Sequence, residues 1–135
     1  MARTDARATH GMDEALQRMD DAAAEGADIV FLEAPRDAAE MRRFVEAARG
    51  KPCMANLVHG GLTPMLPHAE LERIGFRLAI HPVALLSAAI AAMQQAIAAL
   101  APDATAPMPA MTSFAELQSV VGFPAYWASE ERFKI

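Results

Sequence analysis

Four short polar clusters give this chain side chains that can bind a small molecule: Arg3-Thr4-Asp5, Glu33, Asn56 and His81. Arginine offers a planar fork of donors that matches a carboxylate two bonds at a time. Glu33 is suited to orienting a neighbouring group or holding a metal-bound water, and Asn56 to donating to a substrate oxygen. Such a set suits a small, anionic, oxygen-rich substrate. Each residue also has a purely structural reading. Arg3 and Asp5 can pair with each other or cap a helix, Glu33 can be a solvated loop acid, and Asn56 a turn former. His59 and His68 lie in or beside a glycine-containing loop, where a histidine is more often solvated than catalytic. Cys53 falls within an apolar run and reads as a packing residue.

Repeated strand–helix units would gather these residues. Ile29–Leu32 and Pro52–Ala55 are continuously apolar with no alternation, the pattern of parallel strands covered on both faces. Phe76–Ile80 reads as another strand, and residues 2–5 as the end of one more. Helices are predicted over Gly11–Glu25, from Asp37 to Ala48, over His68–Ile74 and over Val83–Leu100. Asp37 and Glu40 are spaced as in a capping box. Strand and helix alternate four times, so the class is α/β with a parallel sheet and helices outside it. In such folds chemistry collects at the carboxyl ends of the strands. All four polar clusters stand there.

The stretch 101–110 is proline-rich and cannot continue a helix. Beyond it Thr112, with Glu116 nearby, is predicted to open a helix through Val121. Gly122-Phe123-Pro124 breaks it, and Ala125–Phe133 forms a last short helix. The expected organisation is residues 1–100 as four βα units, 101–110 as a linker, and 111–135 as a helical tail. That tail has too few apolar residues for a core of its own and is expected to dock on a partner subunit.

The 135 residues are 53% hydrophobic and 21% charged, enough for a packed core. Basic residues are scattered among acids and the net charge is −5, which argues against a nucleic-acid partner. A single cysteine excludes an internal disulfide framework and makes the cytoplasm the default compartment. The N-terminal MARTDARATHG has no apolar stretch of signal-peptide length. Val83–Leu100 is long enough for a membrane span, but it is mostly alanine, carries Ser87, Gln94 and Gln95, and lacks flanking anchors. A buried or subunit-interface helix is expected there, not a membrane partner.

The segments ARTDA, GMDEALQRMDDAAAEGADIVFLEA, PCMANLVHGGLTP and FAELQSVVGFPAYWASEERF resemble the isocitrate lyase/phosphoenolpyruvate mutase superfamily. The nearest branch is similar to the 2-methylisocitrate lyase-like and carboxyvinyl-carboxyphosphonate phosphorylmutase-like enzymes, and the likeness runs the whole chain in order. The resemblance implies the C-terminal half of a (β/α)8 TIM-type barrel plus a C-terminal helical tail. It implies part of a Mg²⁺-dependent carbon–carbon lyase acting on small 2-hydroxy or 2-oxo di- or tricarboxylates through an enolate. Oxaloacetate decarboxylase or phosphonomutase chemistry on the same scaffold is the neighbouring alternative. A homo-oligomer joined through the C-terminal helices is implied too.

Carried over by motif, Arg3 would grip a substrate carboxylate, Asn56 would contact substrate, and Glu33 would lie near the metal through its waters. Thr63 belongs to the matching GGxTP loop with Gly60, Gly61 and Pro64 and is expected to bind substrate. No catalytic residue is assigned within this half. Three departures stand out. His59 replaces a glutamate common in relatives. Ser87 lies near where methylisocitrate lyases place another carboxylate-binding arginine. The paired metal-binding aspartates and the lysine-cysteine-glycine-histidine loop have no counterpart, and Cys53 is not that cysteine. Most Mg²⁺ ligands are therefore expected outside this half. A reading of another class follows from the same gap: a non-catalytic barrel fragment that only associates with other chains.

Overall fold

Val30, Phe31 and Leu32 are all buried, as an unbroken apolar run with helices or neighbouring strands on every side requires. They form the second strand of a sheet in a computed structural model that describes residues 1–133. In chain order the elements are β1 (Ala2–Thr4), α1 (Ala6–Thr9), α2 (Met12–Ala24), β2 (Val30–Leu32) and α3 (Ala38–Ala47). They continue with β3 (Cys53–Asn56), α4 (His68–Ile74), β4 (Phe76–Ile80), α5 (Ala84–Ala99), α6 (Phe114–Val120) and α7 (Phe123–Glu131). The sheet order is β1-β2-β3-β4 and every pairing is parallel. The α/β class and the half-barrel succession of four βα units are therefore as expected from the sequence.

Register aligns the strand ends. Thr4 lies opposite Leu32, and Asn56 opposite Ile80. The Glu33 amide donates to the Thr4 carbonyl at 3.0 Å, and the Leu57 amide to the Ile80 carbonyl at 2.8 Å. Consequently the residue leaving each strand emerges on one rim.

The helices cover the sheet with narrow stripes. In α2, Met12, Ala15, Met19 and Ala23 are buried, a spacing that keeps one face inward. Met41 and Phe44 do the same for α3, and the Phe44 ring meets Phe76 of β4 at 5.9 Å between centroids. The Asp37 carboxylate accepts from the Ala39 and Glu40 amides, so the predicted cap is present. Glu40 returns the favour one residue early, accepting from the Arg36 amide at 2.8 Å. It also takes a bidentate grip from Arg7 of α1.

Two compact units are present, Met1–Ser87 and the part from Ala88 onward. In the second, two helix starts differ from the sequence reading. Ser113, not Thr112, caps α6, accepting from the Glu116 amide at 3.2 Å. Gly122, at φ 90° in the left-handed region, follows the end of α6, where the sequence places the break. Phe123-Pro124 then open α7 instead of separating it from Gly122, because proline at a first helical turn loses no hydrogen bond. In the first unit α1 was not expected: four residues carry no periodicity to read.

Candidate functional site at the strand ends

Arg3 is the penultimate residue of β1, on a strand too short to bury its side chain. Its Nε and Nη2 donate to the two Asp5 oxygens at 3.0 and 2.8 Å, and Nη2 lies 3.3 Å from Glu33 Oε2. The guanidinium also stands 5.1 Å over the Phe31 ring, which keeps it flat against β2. The carboxylate hydrogen bonds raise the Arg3 pKa, and the same bonds lower that of Asp5. So Arg3 and Asp5 do pair. The helix start is capped by neither; Thr4 Oγ1 accepts from the Ala6 amide instead.

From β3, Asn56 reaches back across the sheet and its Nδ2 donates to Glu33 Oε2 at 3.4 Å. Asp5, Arg3, Glu33 and Asn56 thus form one chain of polar contacts spanning three strand ends. The Asn56 Oδ1 is buried without a partner among the described residues. A buried carbonyl oxygen of this kind has room for a donor from outside the described residues, so Asn56 offers an acceptor beside the remaining N–H of its amide.

Thr63 is buried, and with Glu33, Asn56, Ala34, Val58 and Leu62 it lines a cavity of about 220 Å³. The loop that brings Thr63 there turns on Gly61, where an added Cβ would stand 3.0 Å from the Val58 carbonyl oxygen. The four residues predicted to contact substrate or metal are therefore brought together: Arg3 on the open side, and Glu33, Asn56 and Thr63 along the cavity. Missed in the sequence were the apolar wall of Val58 and Leu62 and the backbone of Ala34. Ala34 sits at φ 56° immediately after Glu33, a left-handed alanine that no composition or spacing announces.

The other candidate residues do not line this cavity. His59 is exposed, while His68 and His81 meet each other, Nε2 to Nε2, at 3.2 Å. Cys53 is buried, and burial pushes its thiol up to about 11, consistent with a packing role.

Magnesium prefers octahedral oxygen ligands, commonly one or two carboxylates with waters. Here Glu33, the only carboxylate on the cavity wall among the described residues, already faces a guanidinium and an amide. Among the described residues no group of three or more His, Cys, Asp or Glu could hold a metal ion. These residues alone do not make a magnesium site.

Four parallel βα units with polar side chains collected at their carboxyl ends define a piece of an enzyme-type barrel. A family profile described as phosphoenolpyruvate phosphomutase matches residues 1–101, and the chain belongs to that family, within the PEP mutase/isocitrate lyase superfamily. It is 44% identical over 124 residues to 2,3-dimethylmalate lyase of Eubacterium barkeri, covering 90% of this chain and 43% of that protein. It is 40% identical over 95 residues to 2-methylisocitrate lyase of Bacillus subtilis, covering 70% of this chain and 31% of that one. The solved structure of oxaloacetate acetylhydrolase with its product oxalate superposes at a TM-score of 0.83 with 29% identity. That match covers 96% of this chain and 45% of the neighbour. The chain therefore spans less than half the length of these relatives. No helix among the described residues is long and apolar enough to cross a membrane.

Proposed function

We propose that this chain forms part of a Mg²⁺-dependent carbon–carbon lyase acting on small 2-hydroxy or 2-oxo di- or tricarboxylates. The observation that carries it is the polar chain Arg3–Glu33–Asn56 across three parallel strand ends, beside a cavity, in a relative of named lyases. In this reading Arg3 turns part of its fork from Asp5 to a substrate carboxylate. Asn56 Oδ1 accepts a substrate hydroxyl, Thr63 contacts the substrate within the cavity, and Glu33 holds the amide and guanidinium in place. Glu33 would lie near the metal through its waters.

Charge supports the need for a cation. Arg3 faces two carboxylates, Asp5 and Glu33, so the cluster is already negative before an anionic substrate arrives. A metal held mainly by residues outside these four units supplies the missing positive charge when bound. Oxaloacetate cleavage or phosphonate chemistry would use the same residues. Self-association through α5 and the helices after it belongs to the proposal.

The test is turnover in Mg²⁺ by the polypeptide that joins these units to the rest of a barrel. Its substrates would be 2,3-dimethylmalate, 2-methylisocitrate and oxaloacetate, with release of a 2-oxo acid or oxalate followed. Release that disappears in Arg3→Met supports the reading. No release from any of the three overturns it.

One observation favours a second reading, a chain that only associates with other barrel chains: the lack, among the described residues, of any three-member metal cluster. Turnover by the 135-residue chain itself would exclude it.

A further inference from the structure

The pair His68–His81 belongs to no part of the site above. His68 is the first residue of α4, and one turn on Leu71 is fully buried in the core. His81 follows β4 directly, between the Ile80 carbonyl bonded to Leu57 and the turn in which the Ala84 amide meets the His81 carbonyl at 3.3 Å. Both backbones are thus anchored by packed elements, and Pro67 and Pro82 stiffen the neighbouring positions. The two side chains are exposed, with rings 5.5 Å apart and tilted by 55°.

Two imidazole nitrogens 3.2 Å apart have one of two relations. Without an ion, one Nε2–H donates to the other Nε2. With an ion, both lone pairs turn to it. Metal–imidazole bonds of about 2.0–2.1 Å across a 3.2 Å gap close an N–metal–N angle of about 100°, near the tetrahedral value. A modest rotation of the rings converts the hydrogen bond into that geometry. The donating ring moves its proton from Nε2 to Nδ1, so the neutral pair gains the ion without losing a proton.

We propose that His68 and His81 form a two-histidine site for a borderline transition-metal ion of the zinc, nickel or copper class, with water completing the coordination. Imidazole favours these ions and does not suit Mg²⁺, so the site is chemically distinct from any magnesium centre. Glu72, one turn after His68 on α4, and Arg77 of β4 line the cleft beside His68. An ion bound here would pin the start of α4 to the end of β4, and with them both ends of the path that carries Thr63.

The experiment titrates the whole chain with Zn²⁺ by calorimetry and with Cu²⁺ by electron paramagnetic resonance. Expected is saturable one-to-one binding, nitrogen hyperfine structure from two imidazoles, and a Zn²⁺-dependent rise in unfolding temperature. His68→Ala and His81→Gln should each weaken binding by more than the roughly tenfold that even an outer-shell partner is worth. His10→Ala and His59→Ala should bind as wild type, and Mg²⁺ should not compete. Hyperfine structure from fewer than two nitrogens in the wild-type chain would overturn the proposal. So would affinity that is equal in all four variants.

Discussion

Asn56 occupies an uncomfortable position for a merely structural residue. Its amide hydrogen bond to Glu33 is long, and its buried oxygen has no partner among the described residues. A buried unpaired acceptor costs roughly 1–3 kcal/mol, and removing it together with the long bond to Glu33, which keeps its contact with Arg3, recovers at least what that bond contributes. Asn56→Leu is therefore expected to unfold at the same urea concentration as wild type or a higher one, while losing dicarboxylate binding. Clear destabilisation without a change in binding would return Asn56 to the role of turn former. Cys53 makes the opposite case. With its thiol pushed up to about 11 by burial, only about one molecule in a thousand carries a thiolate at pH 8. Labelling by a disulfide reagent should be very slow in the native chain and fast once it is denatured. Rapid native labelling would mean that the strand around Cys53 opens.

At the scale of elements, charge and close contact hold α1, α3 and α4 to the sheet. Arg7 of α1 grips Glu40 of α3 with bonds of 2.6 to 3.0 Å, and both side chains are largely covered. The Arg7 hydrogen bonds, more than the Arg36 amide, hold the Glu40 carboxyl below the usual carboxylate range. A carboxylate depressed in the fold stabilises it above its unfolded pKa, and that contribution is lost as pH falls through the folded value. Wild type should therefore lose stability on acidification below the ordinary carboxylate range more steeply than Glu40→Gln. The variant should be the less stable at neutral pH. Parallel acid profiles by thermal unfolding would dismiss the pair as a stabilising contact.

Gly75, between α4 and β4, is at φ 120°, and an added Cβ would stand 2.7 Å from Val45 Cγ1. Gly75→Ala meets both backbone strain and a clash, so a loss above about 1 kcal/mol is expected in urea unfolding. An unchanged midpoint would show that α3 and α4 can separate there. The same elements show what a sequence can disclose. β2 and β3 were legible because an unbroken apolar run bounded by glycine or proline has few other uses, and α4 and β4 match residue for residue. The rim site followed from parallel register alone. α1 and the start of α7 were not legible: one is barely a single turn, and the other uses a proline that usually signals a break. Nor could any spacing reveal that Asn56 would donate to Glu33 and leave its own buried oxygen without a partner among the described residues.

For the whole molecule the decisive feature is apolar surface that the chain itself leaves uncovered. α5 carries no charged residue and none of its residues is buried, with Leu85, Leu86, Ile90, Met93 and Ile97 exposed. In the second unit neither α6 nor α7 buries a residue, although Phe114, Tyr126 and Trp127 are all exposed. The sheet of the first unit also ends on strands with one unpaired edge each, β1 and β4. Helices apolar on all sides and open sheet edges persist in water only when something covers them. No helix among the described residues is long and apolar enough to cross a membrane. The purified chain is accordingly expected to sediment as an oligomer at micromolar concentration. Replacing Leu85, Leu86 and Ile97 by glutamine should shift it toward the monomer without loss of helical circular dichroism. A wild-type chain that sediments as a single monomeric species across that range would contradict association through α5. It would require the exposed leucines and the open sheet edges alike to be tolerated in water, and the proposed self-association would fall.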